Sequence, residues 1–190
     1  MSSRYFKLTE DRQPGNWDLG DPLDAQGHEV EDPWMYAAGR AVREERGRLR
    51  IPIDEPGRRL DFCTAGIGVA PVAHVRVASL FAERAPADVQ LLPVDLAGQP
   101  DQYLLLVATK LIRCIDDRAT REVLYWKPED ERPEKLGQYR SVAGLRIDPT
   151  KVGDAQVFRT WGWPIALIVS EDLKAALEQS GATGMKFTPV

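Results

Sequence analysis

Apolar residues in this chain fall into short dense runs separated by polar, glycine- and proline-rich stretches, a pattern of strands rather than long helices. The last unit is the clearest. Residues 165–169, IALIV, form an apolar run of the right length for one buried strand. Ser170 follows as a helix N-cap, with Glu171 and Asp172 placed to complement the positive end of the helix dipole. Leu173, Ala176 and Leu177 share one helical face, Gly181 is a natural stop, and GMKFTPV reads as a closing strand. Upstream, residues 89–96 and 102–109 predict two strands joined by a turn at Gly98, Gln99 and Pro100. Residues 103–107 are apolar at nearly every position, which implies burial on both faces. LIRCID, VAGLRID and VFRTW supply further short strands. Residues 127–139, KPEDERPEKLGQY, predict an exposed and mobile loop. Residues 72–84 read as a helix opened by Pro71, since proline suits a first helical turn. The partly alternating valines of VAHVRV also fit an edge strand.

Residues 1–35 lack this periodicity. They combine Asp, Gly and Pro with the rings of Tyr5, Phe6, Trp17 and Trp34, so they predict an irregular segment pinned to the body by its aromatics. Residues 51–62, with a turn at Pro56 and Gly57, read as a link to the core. The expected organisation is a single α+β domain over residues 60–190. It has a mixed or largely antiparallel sheet and a few short helices, with an irregular N-terminal segment, residues 1–59, packed on it.

Charge adds a polarity to this picture. The net charge of the 190 residues is −4, yet residues 10–32 hold eight acids against Arg12 alone. Residues 40–59 hold seven arginines against four acids. Both runs fit a solvated surface, and they also fit a polarised face that steers a charged partner. Nucleic acid is a poor match, because the basic run is broken by acids and lacks interleaved aromatics. No apolar leader opens the chain and no apolar run is long enough to span a bilayer, so a soluble cytoplasmic protein without a membrane partner is expected. The two cysteines, Cys63 and Cys114, have neither CxxC nor zinc-ligand spacing. They read as reduced core thiols, with a single disulfide as the alternative.

Catalytic chemistry is hard to assemble from these residues. His28 and His74 stand apart from any Cys, Asp or Glu at ligand spacing, so no metal is expected. Cys63 and His74 form a conceivable nucleophile pair, but no orienting third residue stands out. Gly66 and Gly68 in TAGIGVAP only loosely resemble a phosphate-cradling loop, with no GK[ST] after them. Asp116 and Asp117 are neighbours and would point to opposite faces of a strand, and Asp148 precedes Pro149, so all three read as turn residues. No cofactor is expected either. What stands out instead is the supply of large aromatics in polar settings: Trp34 and Tyr36 in EDPWMYAAGR, Trp126 beside the charged loop, and Trp161 and Trp163 around a glycine. Trp, Tyr and Arg dominate interface hot spots, so these rings are the candidate contacts, with Asp18, Asp21 and Asp24 as candidate steering charges. Two other readings stay open. One is a small-molecule or nucleotide-binding regulatory domain at the Gly66–Gly68 turn. The other is an enzyme with a dispersed site at Asp116, Asp117 and His74.

An ordered series of segments carries a resemblance. It comprises LDF at 60–62, the APV element, VQLLPVDLAGQPDQYLLLVATKLIRCIDDRAT, LRIDPTKVGDAQVFR and IALIVSEDLKAALEQSGATGMKF. Within it, Tyr103, Asp116, Ile147 with Asp148, and Phe158 with Arg159 match the family pattern in order, while Thr120 stands where a serine is usual. Over residues 60–188 the chain thereby resembles a family of immunity proteins encoded beside bacterial polymorphic toxins, the eleventh so numbered and common in myxobacteria. The resemblance implies a non-enzymatic protein that binds a cognate toxin, encoded by a neighbouring gene, and transfers no catalytic residue.

Overall fold

The computed structural model describes residues 4–43, 47–66 and 70–190. Its elements run β1 (Tyr5–Glu10), β2 (Asp18–Leu19), β3 (Leu49–Ile51), β4 (Ile53–Glu55), β5 (Phe62–Ala65), β6 (Ala70–His74), α1 (Val75–Arg84), β7 (Val89–Leu96) and β8 (Tyr103–Ala108). They continue with β9 (Leu111–Ile112), β10 (Glu122–Tyr125), β11 (Tyr139–Ala143), β12 (Val157–Thr160), β13 (Trp163–Ser170), α2 (Glu171–Gln179) and β14 (Met185–Pro189). Seven strands form one sheet in the order β3-β7-β8-β6-β5-β2-β4, and five form another in the order β14-β1-β13-β12-β9. A two-stranded ribbon, β10-β11, stands apart. Most pairings are antiparallel, with parallel ones at β3–β7, β2–β5 and β9–β12, so this is a single α+β domain with mixed sheets.

Side-chain parity explains the layering. In β8, Tyr103, Leu105 and Val107 pack with Trp17, Tyr36 and Ile51 on one side of the seven-stranded sheet. Leu106 and Ala108 point the other way, into a core shared with Val77 and Phe81 of α1, Leu173 and Leu177 of α2, and Leu167 and Val169 of β13. The near-continuous apolar run is thus buried on both faces, as its composition demands. The five-stranded sheet repeats this arrangement. Phe158, Ala166 and Ile168 turn to a third cluster, covered by Cys114, Leu145, Ile147 and Val152 from the excursion between β9 and β12.

Several local expectations hold. The β7–β8 hairpin forms with its turn over Gly98 and Gln99, and β8 starts one residue inside its expected bounds. Ser170 caps α2 by accepting from Leu173 N–H at 3.2 Å, and Gly181 ends the helical turn at φ 67°. Others are corrected. Residues 70–74 are a strand in the middle of the sheet, and the helix begins only at Val75. Pro71 is tolerated there because Thr64 N–H, opposite it, donates to Glu10 at 2.9 Å instead of to β6. That pair is not hydrogen-bonded across the ladder, and β8 pairs only with residues 72–74, so the missing proline N–H breaks no bond. The helix is started by His74, whose Nδ1 accepts from Arg76 N–H at 3.3 Å.

The N-terminal residues are also more ordered than their composition implies. Tyr5–Glu10 is an internal strand between β13 and β14, and the stretch expected as a link supplies β3 and β4 on either side of Pro52. Of the rings expected to pin residues 1–35, Tyr5 and Trp17 are buried, whereas Trp34 is 48% exposed. LIRCID is shorter as a strand than expected, ending at Ile112, with Ile115 bridged separately to Ile147.

Cys63 and Cys114 are both buried and free. Burial pushes the Cys114 thiol up to about 12 and raises that of Cys63 further, aided by the Glu10 carboxylate. The unfolded chain ionises its thiols near about pH 8.5, so the folded state is the better proton holder above that pH. Stability is therefore full below about pH 8.5 and declines toward pH 12, by up to about 1.4 kcal/mol per pH unit for each thiol. Denaturant titrations at pH 8 and pH 10 should show this decline in the wild type. The Cys63→Ala/Cys114→Ala double variant should show a clearly flatter one, and an equal slope in both would refute the assignment.

Candidate binding surface

The excursion between β9 and β12 carries the ribbon, and the tight turn between β12 and β13 docks against it. Gly162 makes that docking possible. Its φ of 80° is in the left-handed region, and a Cβ there would lie 3.0 Å from the Tyr139 ring. Tyr139 N–H donates to the Gly162 carbonyl at 3.1 Å, and Trp161 N–H donates to the Ile112 carbonyl at 2.8 Å. The two tryptophans flanking Gly162 are thereby held beside β9 and β11.

A connected aromatic surface results. The Tyr125 and Tyr139 rings lie 5.0 Å apart, and both hydroxyls donate to the Asp117 carboxylate. Burial and that carboxylate push Tyr139 well above the usual phenol range, and the Asp117 bond raises Tyr125, so both remain neutral donors. Trp126 donates its indole N–H to the Tyr139 carbonyl at 3.1 Å, with Lys135 Nζ 4.8 Å and the Arg140 guanidinium 5.5 Å from its ring centre. Arg113 stacks 4.2 Å over Trp161. Bonded at several points, these rings lose little freedom on meeting a partner, which favours affinity. Leu124 and Leu136 add exposed apolar area on the ribbon and its connecting loop. That loop, residues 127–139, is exposed as expected but shaped by two 3-10 turns.

The sequence-derived candidates separate in space. Trp126 and Trp161 come together here, whereas Trp163 is half-buried against the third core cluster, on which Tyr139 also packs. Tyr125 and Tyr139 belong with the first two. Their position at either end of the charged loop was visible, but nothing in the sequence showed that Asp117 joins them. Trp34 is 48% exposed on a short 3-10 turn, Pro33–Ala37, which packs on the opposite sheet. Gly39, just beyond that turn, abuts Leu111 of β9, bringing the segment against the strand that precedes Arg113. Tyr36 is only 2% exposed and belongs to the core with Trp17 and Val30, so its ring offers no contact area in this fold.

The acidic candidates separate as well. Asp24 is engaged by its own turn. It accepts from the N–H groups of Gln26 and His28, both at 2.9 Å, and these bonds hold its carboxyl below the ordinary range. Asp18 lies on β2, one strand in from the outer strand β4 of the seven-stranded sheet and opposite Glu55. Asp21 follows just after β2, and Asp54 of β4 stands beside Gly20. None of Asp18, Asp21, Asp54 and Glu55 has a cationic partner among the described residues. Asp54 and Glu55 were missed because only strand pairing brings them to the first two.

The alternative chemistries fare differently. Cys63 points its thiol at the Val72 carbonyl, 3.7 Å away, and His74 is engaged by Arg76 N–H and by Asp101 at 3.8 Å. Asp116 caps a turn by accepting from Arg118 and Ala119 N–H groups, and Asp148 does the same for Thr150. Gly68 lies outside the described residues. No three His, Cys, Asp or Glu side chains converge among the described residues.

The architecture defines a class first: an α+β domain with mixed sheets that displays linked aromatic rings and arginines beside its two-stranded ribbon. The family follows. Residues 85–190 match the immunity protein family Imm11, and the chain belongs to that family. The matched stretch begins at the end of α1 and contains β7–β14, hence the whole ribbon and its tryptophans, while the acidic edge at β2 and β4 lies outside it. Comparison with curated proteins gave no match.

Proposed function

We propose that this protein neutralises a cognate polymorphic toxin by binding it directly in the cytoplasm of the producing cell, without catalysis. The observation that carries the reading is the aromatic surface at the ribbon, built of Trp126, Trp161, Tyr125 and Tyr139 with Arg113 stacked on it. Membership of an immunity protein family supports a toxin as the kind of partner, and the toxin's gene is expected beside that of this protein. An interface of about 1,200–2,000 Å² suffices for tight binding if its central rings are well seated. Asp18 and Asp21, with Asp54 and Glu55, form the edge that steers a basic partner surface toward the complex.

A second reading has one observation in its favour. A cleft of about 310 Å³ lies between the 3-10 turn and β7, lined by Met35, Tyr36, Leu92 and Pro93 with Arg43 and Arg48 at its rim. A regulatory domain using it should show a thermal shift with a metabolite pool.

Native pull-down of the tagged protein from its own producer, with quantitative mass spectrometry, tests the first reading. One stoichiometric partner carrying a toxin domain is expected. A clean pull-down without it, from cells shown to express the toxin, would count against neutralisation and favour the ligand screen.

A further inference from the structure

Strand β10 pairs with β11 on one side, and no strand pairs with its other edge among the described residues. Ladder alternation gives that open edge a definite chemistry. Arg121 N–H donates to the Gly144 carbonyl at 3.3 Å, and Glu122 stands opposite Ala143. Glu122 and Leu124 therefore hold the non-hydrogen-bonded positions, with the N–H and C=O of Glu122 and the N–H of Leu124 facing outward. Folded proteins commonly blunt such an edge with lysine, proline or a covering segment. β10 reads EVLY and has neither residue, and Leu124 is 51% exposed on it. A bulge between Leu124 and Tyr125 ends the regular register, leaving a short template rather than a long sticky one.

The surrounding charges say what fits. Asp116 already accepts from two backbone N–H groups and Asp117 from two tyrosine hydroxyls, while Asp130 accepts from Lys127 N–H and from Arg140. Arg113, Arg118 and Arg121 are exposed, and none has a carboxylate partner among the described residues. Glu122 is the one acid on the strand itself. On the β9–β10 connection the carboxylates are thus engaged and three guanidinium donors are open, the complement of a segment rich in carboxylates. The open acids Glu122, Glu129 and Glu131 lie on the strand and on the β10–β11 loop.

We propose that β10 accepts an extended acidic segment of the partner toxin as an added strand. The partner's main chain bonds to Glu122 and Leu124, and its carboxylates meet Arg113, Arg118 and Arg121. This rests on the neutralisation reading above and specifies how the contact is made. A short strand alone buries too little for a stable complex, which needs about 800 Å² from each partner. The adjoining rings of Trp161 and Trp126 supply the remainder. Strand addition gives main-chain affinity, and the side chains on either side give selectivity.

Proline scanning of the edge tests this directly, because proline fits an edge strand whose N–H faces outward yet cannot donate to an added strand. The probe is the toxin-domain partner recovered with the full-length chain. Glu122→Pro is expected to weaken binding at least 100-fold while melting close to wild type, and Glu122→Ala, which keeps the N–H, stays within threefold. Arg118→Glu combined with Arg121→Glu is expected to slow association about tenfold. Amide hydrogen exchange on the wild-type complex is the independent check, with strong protection of the Glu122 and Leu124 amides gained on binding. Equal binding by the proline and alanine variants, or unchanged exchange at those two amides, would overturn strand addition and leave neutralisation standing. Protection that arises in the free protein at high concentration would assign the edge to a second copy of this chain and overturn the toxin assignment. Failure to recover any partner would overturn both.

Discussion

Truncating Trp161 to alanine is expected to weaken toxin binding by about 2–4 kcal/mol, the loss typical of a central tryptophan hot spot, or roughly 30- to 900-fold in Kd. The ring lies at the meeting point of β9, the β12–β13 turn and Arg113, whose guanidinium stacks on it at 4.2 Å. Removing it takes away apolar contact area and also frees Arg113 to move, so two binding groups are lost with one substitution. Trp161→Phe retains a flat ring and should recover part of the loss. Glu83→Ala on α1, a surface acid remote from the ribbon, should leave Kd unchanged. Equilibrium titration of the purified pair measures all three. A Trp161→Ala complex as tight as wild type would move the binding surface elsewhere on the molecule.

A second large effect is expected in stability. Asp88 lies just before β7, buried, and accepts from the N–H groups of Gln156 at 2.6 Å and Val157 at 3.1 Å while pairing with Lys110 at 2.7 Å. These contacts tie the start of β7 in one large sheet to the start of β12 in the other. The carboxylate bond favours the charged form of Lys110 and raises its affinity for the proton. Asp88→Ala leaves the buried Val157 amide and the part-buried Gln156 amide without an acceptor and Lys110 with only the more distant Asp154, so a loss of about 2–4 kcal/mol is expected. Lys110→Ala should cost less, about 1 kcal/mol, because the lysine is partly exposed and Asp88 retains its two backbone donors. Urea unfolding should show the Asp88→Ala midpoint falling with an unchanged m-value. A loss below 1 kcal/mol would show that the junction between the sheets does not depend on this carboxylate.

How much of this was legible beforehand varied with the range of the interactions. The β13–α2–β14 ending was readable residue by residue, because a cap, a helical stripe and a glycine stop act within one or two turns of chain. The double-sided burial of β8 was equally plain, since a run without polar positions has no face to give to water. The strand–helix boundary at His74 was misplaced by the local preference of proline. That preference lost to a sheet that uses the one position where no N–H is needed. Strand β1 was hidden for a related reason: YFKLTE has too few apolar residues to declare itself and is made a strand by two flanking partners from the far end of the chain.

The candidate surface divides along the same line. That Trp126, Trp161 and Trp163 are unusual was evident from their polar and glycine-rich settings. A resemblance to the family was carried by an ordered series of short motifs, of which those from residue 89 onward lie in the matched stretch. Composition could not tell Trp34, exposed, from Tyr36, buried two residues later, because the difference depends on which side of a 3-10 turn meets the sheet. Nor could it show that Asp24 serves its own turn while Asp18 and Asp21 join Asp54 and Glu55 at an edge. The sequence alone determined the class of fold, the family and the kinds of residue available for recognition, because these follow from composition and short-range pattern. Tertiary structure decided which of those residues share a surface and which strand edge stays open, because pairing between distant segments sets both.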